Sequence, residues 1–304
     1  MSITGYRQYM RKYRLIVDRK SGGGIDVSDL RCTFSCEKSM TATPNFSQIT
    51  IYNLNQDTIA SIKAGDTVLL EAGYEGGNYG MIFTGQIVQP YTAKESGTDL
   101  ALVLLVQDGD VYLNGSFTAE TVGKNATPLD IVNVCMGQST DVGLISDELS
   151  STRLARGRVL FGKSAKYIKS VAQKAKSQFY VEDGKVNVVA AKDYDENTAV
   201  ELNPATGLVG TPSQTDDGVS GQCLINPSIK LNTLLYINSG LVNAKRDTVG
   251  GSTTVVNTDG VYRVVKLTYE GDTRGDAWYC NFEAVTQAGT KLAGQSSDVT
   301  SPWR

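Results

Sequence analysis

Two pairs of carboxylates are the first residues whose types and spacing suggest chemistry. Asp108 and Asp110 follow an apolar run, and Asp216 and Asp217 sit in a Gly-containing turn. Paired carboxylates perform the acid–base work of glycoside hydrolysis, given a cleft and one group of raised pKa. The sequence around these pairs supplies neither, and acidic residues in such stretches ordinarily serve turn geometry. Ser21-Gly22-Gly23-Gly24 has the glycines of a phosphate loop, but the Lys and Ser/Thr that should follow are missing and no βα unit surrounds it. A hairpin tip or arm is the expectation there. Cys32 and Cys36 lie on one face of a strand, too far apart along it for an easy disulfide. With five cysteines in all, an odd number, small buried hydrophobes are the expectation.

The chain has no histidine. That removes Ser-His-Asp and Cys-His nucleophile systems and most zinc hydrolases. No cofactor or metal site is expected. Arg153, Arg156 and Arg158 form a small basic cluster that can meet an acidic protein surface or nucleic acid, although no aromatic residues interleave with them as in a single-strand groove. Trp303, on a polar tail, suits a docking anchor, because Trp is enriched at interface hot spots.

The 304 residues are enough for two or three domains, and 40% hydrophobic with 20% charged residues suits packed cores. A formal net charge of −3 lacks the basic excess of a nonspecific DNA binder. No apolar run is long enough to span a bilayer, so no membrane anchor is expected, and the N-terminus has no h-region.

The elements that would position these residues are mostly strands. Leu30–Cys36 alternates Leu30, Cys32, Phe34 and Cys36 against Arg31, Thr33 and Ser35, the period of a half-buried strand. Tyr13–Asp18, Gln48–Leu54, Thr67–Tyr74, Met81–Val88 and Leu100–Asp108 also read as strands, with a helix over Gln56–Ile62 capped by Asn55. The middle differs. Thr127 caps a helix over Pro128–Met136, and Ser164 is the expected cap at the start of one over Ser164–Phe179 with an apolar stripe through Ala165, Ile168, Val171, Ala172, Ala175 and Phe179. The five lysines 163, 166, 169, 174 and 176 read as its solvated face. Phe179–Val189 is a hairpin turning at Asp183-Gly184. Strands return over 218–226, 233–238, 261–270 and 277–286, with a mobile loop expected over 245–259 and a flexible tail from 287. The fold class is mainly β with a smaller α/β portion. No short-period repeat is visible, yet the two outer regions suit two versions of one barrel.

TGLVGTPSQTDDGVSGQCLINPSIKLNTLLYI with GVYRVVKLTYEGDTRGDAWYCNFEA, and PNFSQITIYNLNQDTIASIKAGDTVLLEAGY with MIFTGQIVQ, resemble the baseplate hub proteins of bacteriophage tails. The resemblance implies two tail-tube-like β-barrel domains, over 1–110 and 187–286, around a mixed α/β insert over 111–186, with a tail over 287–304. It implies a homotrimer with pseudo-sixfold symmetry, a structural adaptor of the virion, assembled in the host cytoplasm. Its partners would be the tail tube or tube-initiator protein, the spike, the baseplate wedge proteins and the tape measure protein. DNA would pass through its channel without specific binding. The rival readings are a cell-wall-degrading enzyme using Asp108 and Asp110, and a host-surface binding module.

Overall fold

The computed structural model describes residues 8–94, 100–137, 141–190, 193, 195–215, 218–238 and 260–286. The chain divides into two compact units: Met1–Lys38, Phe46–Gln107 and Asp195–Gly289 in the first, and Ser39–Asn45, Asp108–Tyr194 and Thr290–Arg304 in the second.

The first unit carries a sheet of 13 strands, laid down in two passes of the chain. The first pass is β1 (Arg11–Asp18), β2 (Gly24–Asp26), β3 (Cys32–Ser39), β4 (Asn45–Tyr52), α1 (Gln56–Ser61), β5 (Thr67–Tyr74), β6 (Tyr79–Lys94) and β7 (Leu100–Asp108). Alternation works as read: Cys32, Phe34 and Cys36 are buried, while Thr33, Ser35 and Glu37 lie on the opposite face. Asn55 caps α1 by accepting from the Asp57 N–H. β6 is much longer than Met81–Val88. The alternation breaks at Val88, and the break is a β-bulge between Ile87 and Gln89, after which the strand continues along β7.

The second unit holds α2 (Asp110–Gly115), β8 (Phe117–Val122), α3 (Pro128–Met136), β9 (Val142–Ile145), β10 (Arg158–Lys163), α4 (Ser164–Lys174), β11 (Ser177–Glu182) and β12 (Lys185–Ala190). β8 pairs with β10, and β9, β12 and β11 form a second small sheet. α3 has a reciprocal capping box, Thr127 with Asp130. Ile131, Val132, Ile168, Val171 and Ala172 pack with Val186 and Val188 as its core. α4 is shorter than the Ser164–Phe179 stripe suggests: Lys176 takes φ +53° and ends the helical run, so Phe179 reaches the same core from β11. Ser164 does not cap α4. It is the first helical residue, and its hydroxyl bonds that of Thr118 at 2.7 Å. The β11–β12 turn uses Asp183 at φ +51° and Gly184 at φ +76°, as an Asp-Gly hairpin requires.

The second pass through the first unit is β13 (Asp195–Leu202), β14 (Leu208–Gln214), β15 (Gly218–Leu224), β16 (Thr233–Ile237), β17 (Val261–Asp272) and β18 (Trp278–Thr286). Its spatial order is β14-β15-β18-β17-β16-β13; that of the first pass is β3-β4-β7-β6-β5-β1. Position for position the order is the same, and the last pair differs in direction: β1 runs antiparallel to β5, while β13 runs parallel to β16. The match extends to single hydrogen bonds. β17 has a bulge between Val264 and Lys266 where β6 has one between Ile87 and Gln89. Gly65 N–H donates to the Ile87 carbonyl at 2.7 Å, and Asn232 N–H to the Val264 carbonyl at 3.0 Å. Gly65 and Asn232 both sit at positive φ. The preceding turns also agree: Lys63 N–H donates to the Asp66 carboxylate, and Lys230 N–H to the Thr233 hydroxyl.

Candidate functional site

The two passes meet where β17 lies beside β3. β17 offers one edge to two partners. Val261–Arg263 pair with β16, and the rest of that edge runs along β3. The contacts are antiparallel. The Thr273 N–H donates to the Cys32 carbonyl at 3.0 Å, Gly271 lies against Phe34, and Lys266 reaches Glu37 at 2.8 Å. A Cβ at Gly271 would overlap the Phe34 ring, so glycine is needed for that approach. Trp278, fully buried, packs edge-on to Phe34 at 5.7 Å between ring centres. Such a pair contributes about 0.5–1.5 kcal/mol beyond its buried area. Arg31 pairs with Asp272 at 2.7 Å, and this hydrogen bond holds the Asp272 carboxyl below the usual carboxylate range. Glu37 raises the pKa of Lys266 in the same way. Arg11 donates to the Gly275 and Asp276 carbonyls, and Asn78 Nδ2 to Asn226 Oδ1 at 3.0 Å, further tying the passes together.

Among the described residues the equivalent edges at the other ends of the repeat carry no strand, and β14, counterpart of β3, is the last strand of the sheet. β5 covers only Tyr79–Gln86 of β6, and along Gln89–Lys94 no strand lies on that edge among the described residues. Burial follows pairing. Val265 in the bulge of β17 is 6% exposed, while its counterpart Val88 is 48% exposed and nearby Tyr91 40%. These are a strand edge and apolar side chains of the kind proteins cover in an assembly.

The residues singled out for chemistry do not converge. Asp108 is buried and accepts the N–H groups of Asp183 and Gly184 at 2.6 and 2.9 Å, clamping the β11–β12 turn. Asp110 lies in the first turn of α2 and accepts from Asn114 at 2.6 Å. Asp216, Asp217 and Trp303, the 245–259 loop and the tail from 287 lie outside the described residues. Ser21–Gly23 lie in the β1–β2 turn, and Gly24 opens β2 opposite Asp18. All five cysteines are buried and unbridged. Arg153 and Arg156 are exposed on the loop before β10, while Arg158 stacks on Tyr167 at 5.5 Å. A cleft of about 370 Å³ on the β3–β4 face is lined by Thr33, Ser35, Glu37, Gln48 and Thr268, with no nucleophile set beside a base. Among the described residues no cluster of His, Cys, Asp or Glu is arranged to hold a metal ion, and no helix is long and apolar enough to cross a membrane. The bare edges were missed from sequence because a bulge and Pro90 disguise the outer half of β6, and Gly210 and Pro212 disguise β14.

A doubled strand arrangement with open ends is a feature to set beside known proteins, and the profile of one family, baseplate hub gp41, matches residues 43–284. The chain belongs to the baseplate hub gp41 family. It is a hub-like protein of the phage baseplate and tail. Solved structures share the fold of this family member at low identity. The 43 kDa tail protein of prophage MuSo2 from Shewanella oneidensis is 10% identical, with a TM-score of 0.60, covering 91% of this chain and 98% of its own. A tail protein from Neisseria meningitidis MC58 is 10% identical, with a TM-score of 0.57, covering 90% and 97%. The E. coli c3393 protein, a type VI secretion system component with structural similarity to the T4 tail proteins gp27 and gp5, is 10% identical, with a TM-score of 0.55, covering 92% and 78%. No curated protein sequence matches the chain.

Proposed function

We propose that this hub is a homotrimeric, non-enzymatic adaptor between a sixfold tail tube and a threefold spike, and forms part of the DNA-conducting channel. The observation that carries this reading is the strand order repeated in one chain, β3-β4-β7-β6-β5-β1 and β14-β15-β18-β17-β16-β13. Three chains with two such arrangements each supply six similar faces to the tube and three identical ones to the spike. In this reading each pass is a tube-like barrel domain, over 1–110 and 187–286, with 111–186 as the insert and 287–304 as a tail. The negative net charge favours passage of DNA over capture, since phosphate neutralisation by cations drives nonspecific affinity.

The tail tube or tube-initiator protein, spike, wedge and tape measure proteins are the partners of this reading, in a virion assembled in the host cytoplasm. Arg153 and Arg156, exposed, and Arg158 beside them suit an acidic wedge surface, and Trp303 a docking anchor. The carboxylate-hydrolase rival loses its base, because Asp108 is buried and committed to two backbone N–H groups. Native mass spectrometry of the concentrated full chain tests the reading. A species of three copies of the 32.7 kDa chain is expected, and a strict monomer or a hexamer contradicts it.

A further inference from the structure

β8 and β10 form a two-stranded ribbon whose faces differ sharply. Thr118, Val122 and Leu160 alternate inward, and Val122 and Leu160 join the core that α3 and α4 complete. Phe117, Ala119 and Thr121 of β8 and Val159, Phe161 and Lys163 of β10 alternate to the other face, set opposite one another by the register. All six are exposed, Phe117 by 61%, Val159 by 69% and Phe161 by 72%. The two rings meet edge-on at 5.2 Å, so the patch is ordered by its own packing. Three large apolar side chains this bare on one small ribbon mark an interaction surface, unlike apolar residues scattered singly.

The charge around this face has one sign. Glu120, the single carboxylate of the two strands, alternates to the inner side with Leu160. Lys163 stands on the outer face. Lys124 and Arg156 are exposed just beyond the far end, where Gly157 approaches the Val122 carbonyl. A complementary partner carries carboxylates beside its apolar residues. Shape selects a helix. A strand added to β10 is blocked at Phe161, whose N–H donates to the Tyr167 hydroxyl and whose carbonyl accepts from it, both at 2.9 Å. A strand added to β8 would lie beside the rings and leave Val159 and Phe161 bare. Two strands of six residues make a floor about as wide as one helix and as long as about 12 helical residues. A second copy of this chain does not supply that helix from its described residues. α3 and α4, the longest, turn their apolar residues into the core, and the exposed side of α4 carries lysines.

We infer that this face seats an amphipathic helix of another polypeptide, its apolar stripe over Phe117, Val159 and Phe161 and its acidic margins against Lys124, Arg156 and Lys163. The surface goes beyond the trimeric reading and needs no contact between copies.

Ala119→Cys tests the assignment: it places a thiol beside both rings while removing neither, and all five native thiols are buried. Maleimide labelling is followed in the free chain and in assembled tails that carry the variant. Labelling should be about tenfold slower, or more, in the tails. Thr121→Cys, on the same face, is the second position for the same measurement. A benzophenone on either thiol should cross-link in the tails to a segment of another polypeptide with apolar residues at helical spacing and Asp or Glu at their flanks. The synthetic peptide of that segment should bind the free chain, and about tenfold or more weakly to Phe161→Asp and to Lys163→Glu chains. Both positions are exposed, and melting curves matching the unmodified protein show that the variants fold. Equal labelling in tails and free chain overturns the assignment. So does a cross-link to a second copy, to residues 287–304 of the same chain, to nucleic acid or to a segment without acidic flanks, and so does peptide binding that neither substitution weakens. A three-copy species by native mass together with an unprotected face overturns this surface and leaves the trimeric reading standing.

Discussion

The two passes through the first unit share a strand order, a bulge and a left-handed turn, yet few residues agree between them. Where the first pass places the helix α1 between β4 and β5, the second uses a tight Asn226-Pro227 turn in which Asn226 Oδ1 accepts the Ser228 N–H. β1 runs antiparallel to β5, whereas β13, arriving from β12, runs parallel to β16. Gly65 in one pass is Asn232 in the other, and Asp66 is Thr233. The difference shows that the backbone hydrogen-bond scheme is what the two halves have in common, with side chains free to change wherever they satisfy the same N–H. The second difference is in use. The β3 and β17 edges are consumed within the chain, whereas β14 and the outer half of β6 have no strand beside them among the described residues.

The largest expected effect lies in the consumed joint. Trp278→Ala should cost about 3–5 kcal/mol, as for other buried aromatic truncations, read as a lowered denaturation midpoint. Gly271→Val should cost about 1–3 kcal/mol by overpacking against Phe34. Its counterpart Lys94 is exposed in the single chain, so Lys94→Val should change chain stability by no more than about 0.5 kcal/mol. Equal effects at 271 and 94 would break the contrast between a filled and an open edge. Next comes the shared turn. Gly65 has φ +90° with open space around it, so Gly65→Ala should lose about 1–2 kcal/mol from strain alone. Asn232 occupies the equivalent place, and its buried amide makes no hydrogen bond among the described residues. Asn232→Gly should therefore leave stability unchanged or raise it, and a marked loss on thermal melting would argue against the equivalence.

The smallest effect is electrostatic. Because Arg31 lowers the Asp272 pKa in the folded chain, the pair stabilises above the unfolded carboxylate range. That contribution is lost as pH falls through the folded-state value. Lys266 has a raised pKa, so the part of the stability linked to its own titration is complete at neutral pH and lost as pH rises through its folded-state value in strong alkali. Both pairs are partly exposed, so each is worth under about 1 kcal/mol. Asp272→Asn should flatten the acid limb of the stability profile while leaving the alkaline limb in place.

Much of this was legible in the residues. Thr67–Tyr74 and Leu100–Asp108 are strands with the bounds their alternation and apolar run suggest, and Thr127 caps Pro128–Met136. The apolar stripe of α4 was right in its first half and overran its end. Phe179 continues the helical spacing by coincidence, while the chain turns at Lys176, a residue that carries no glycine signal. The repeat itself was hidden. Ile62-Lys63 followed by Gly65-Asp66 and Ile229-Lys230 followed by Asn232-Thr233 are its only plain sequence trace, too short to stand out beside loops of different length. Open edges have no composition of their own: Val88, Pro90 and Tyr91 read as the end of a strand, and pairing alone shows that the strand continues.

The central claim is that one chain supplies two equivalent β segments and three chains place six of them around a bore. Electron-microscopic averaging of the assembled full-length protein viewed down its axis tests this most directly. The account predicts a hollow ring of three chains with six near-equivalent lobes. A ring of six chains, or three chains with only three lobes around the opening, would contradict it.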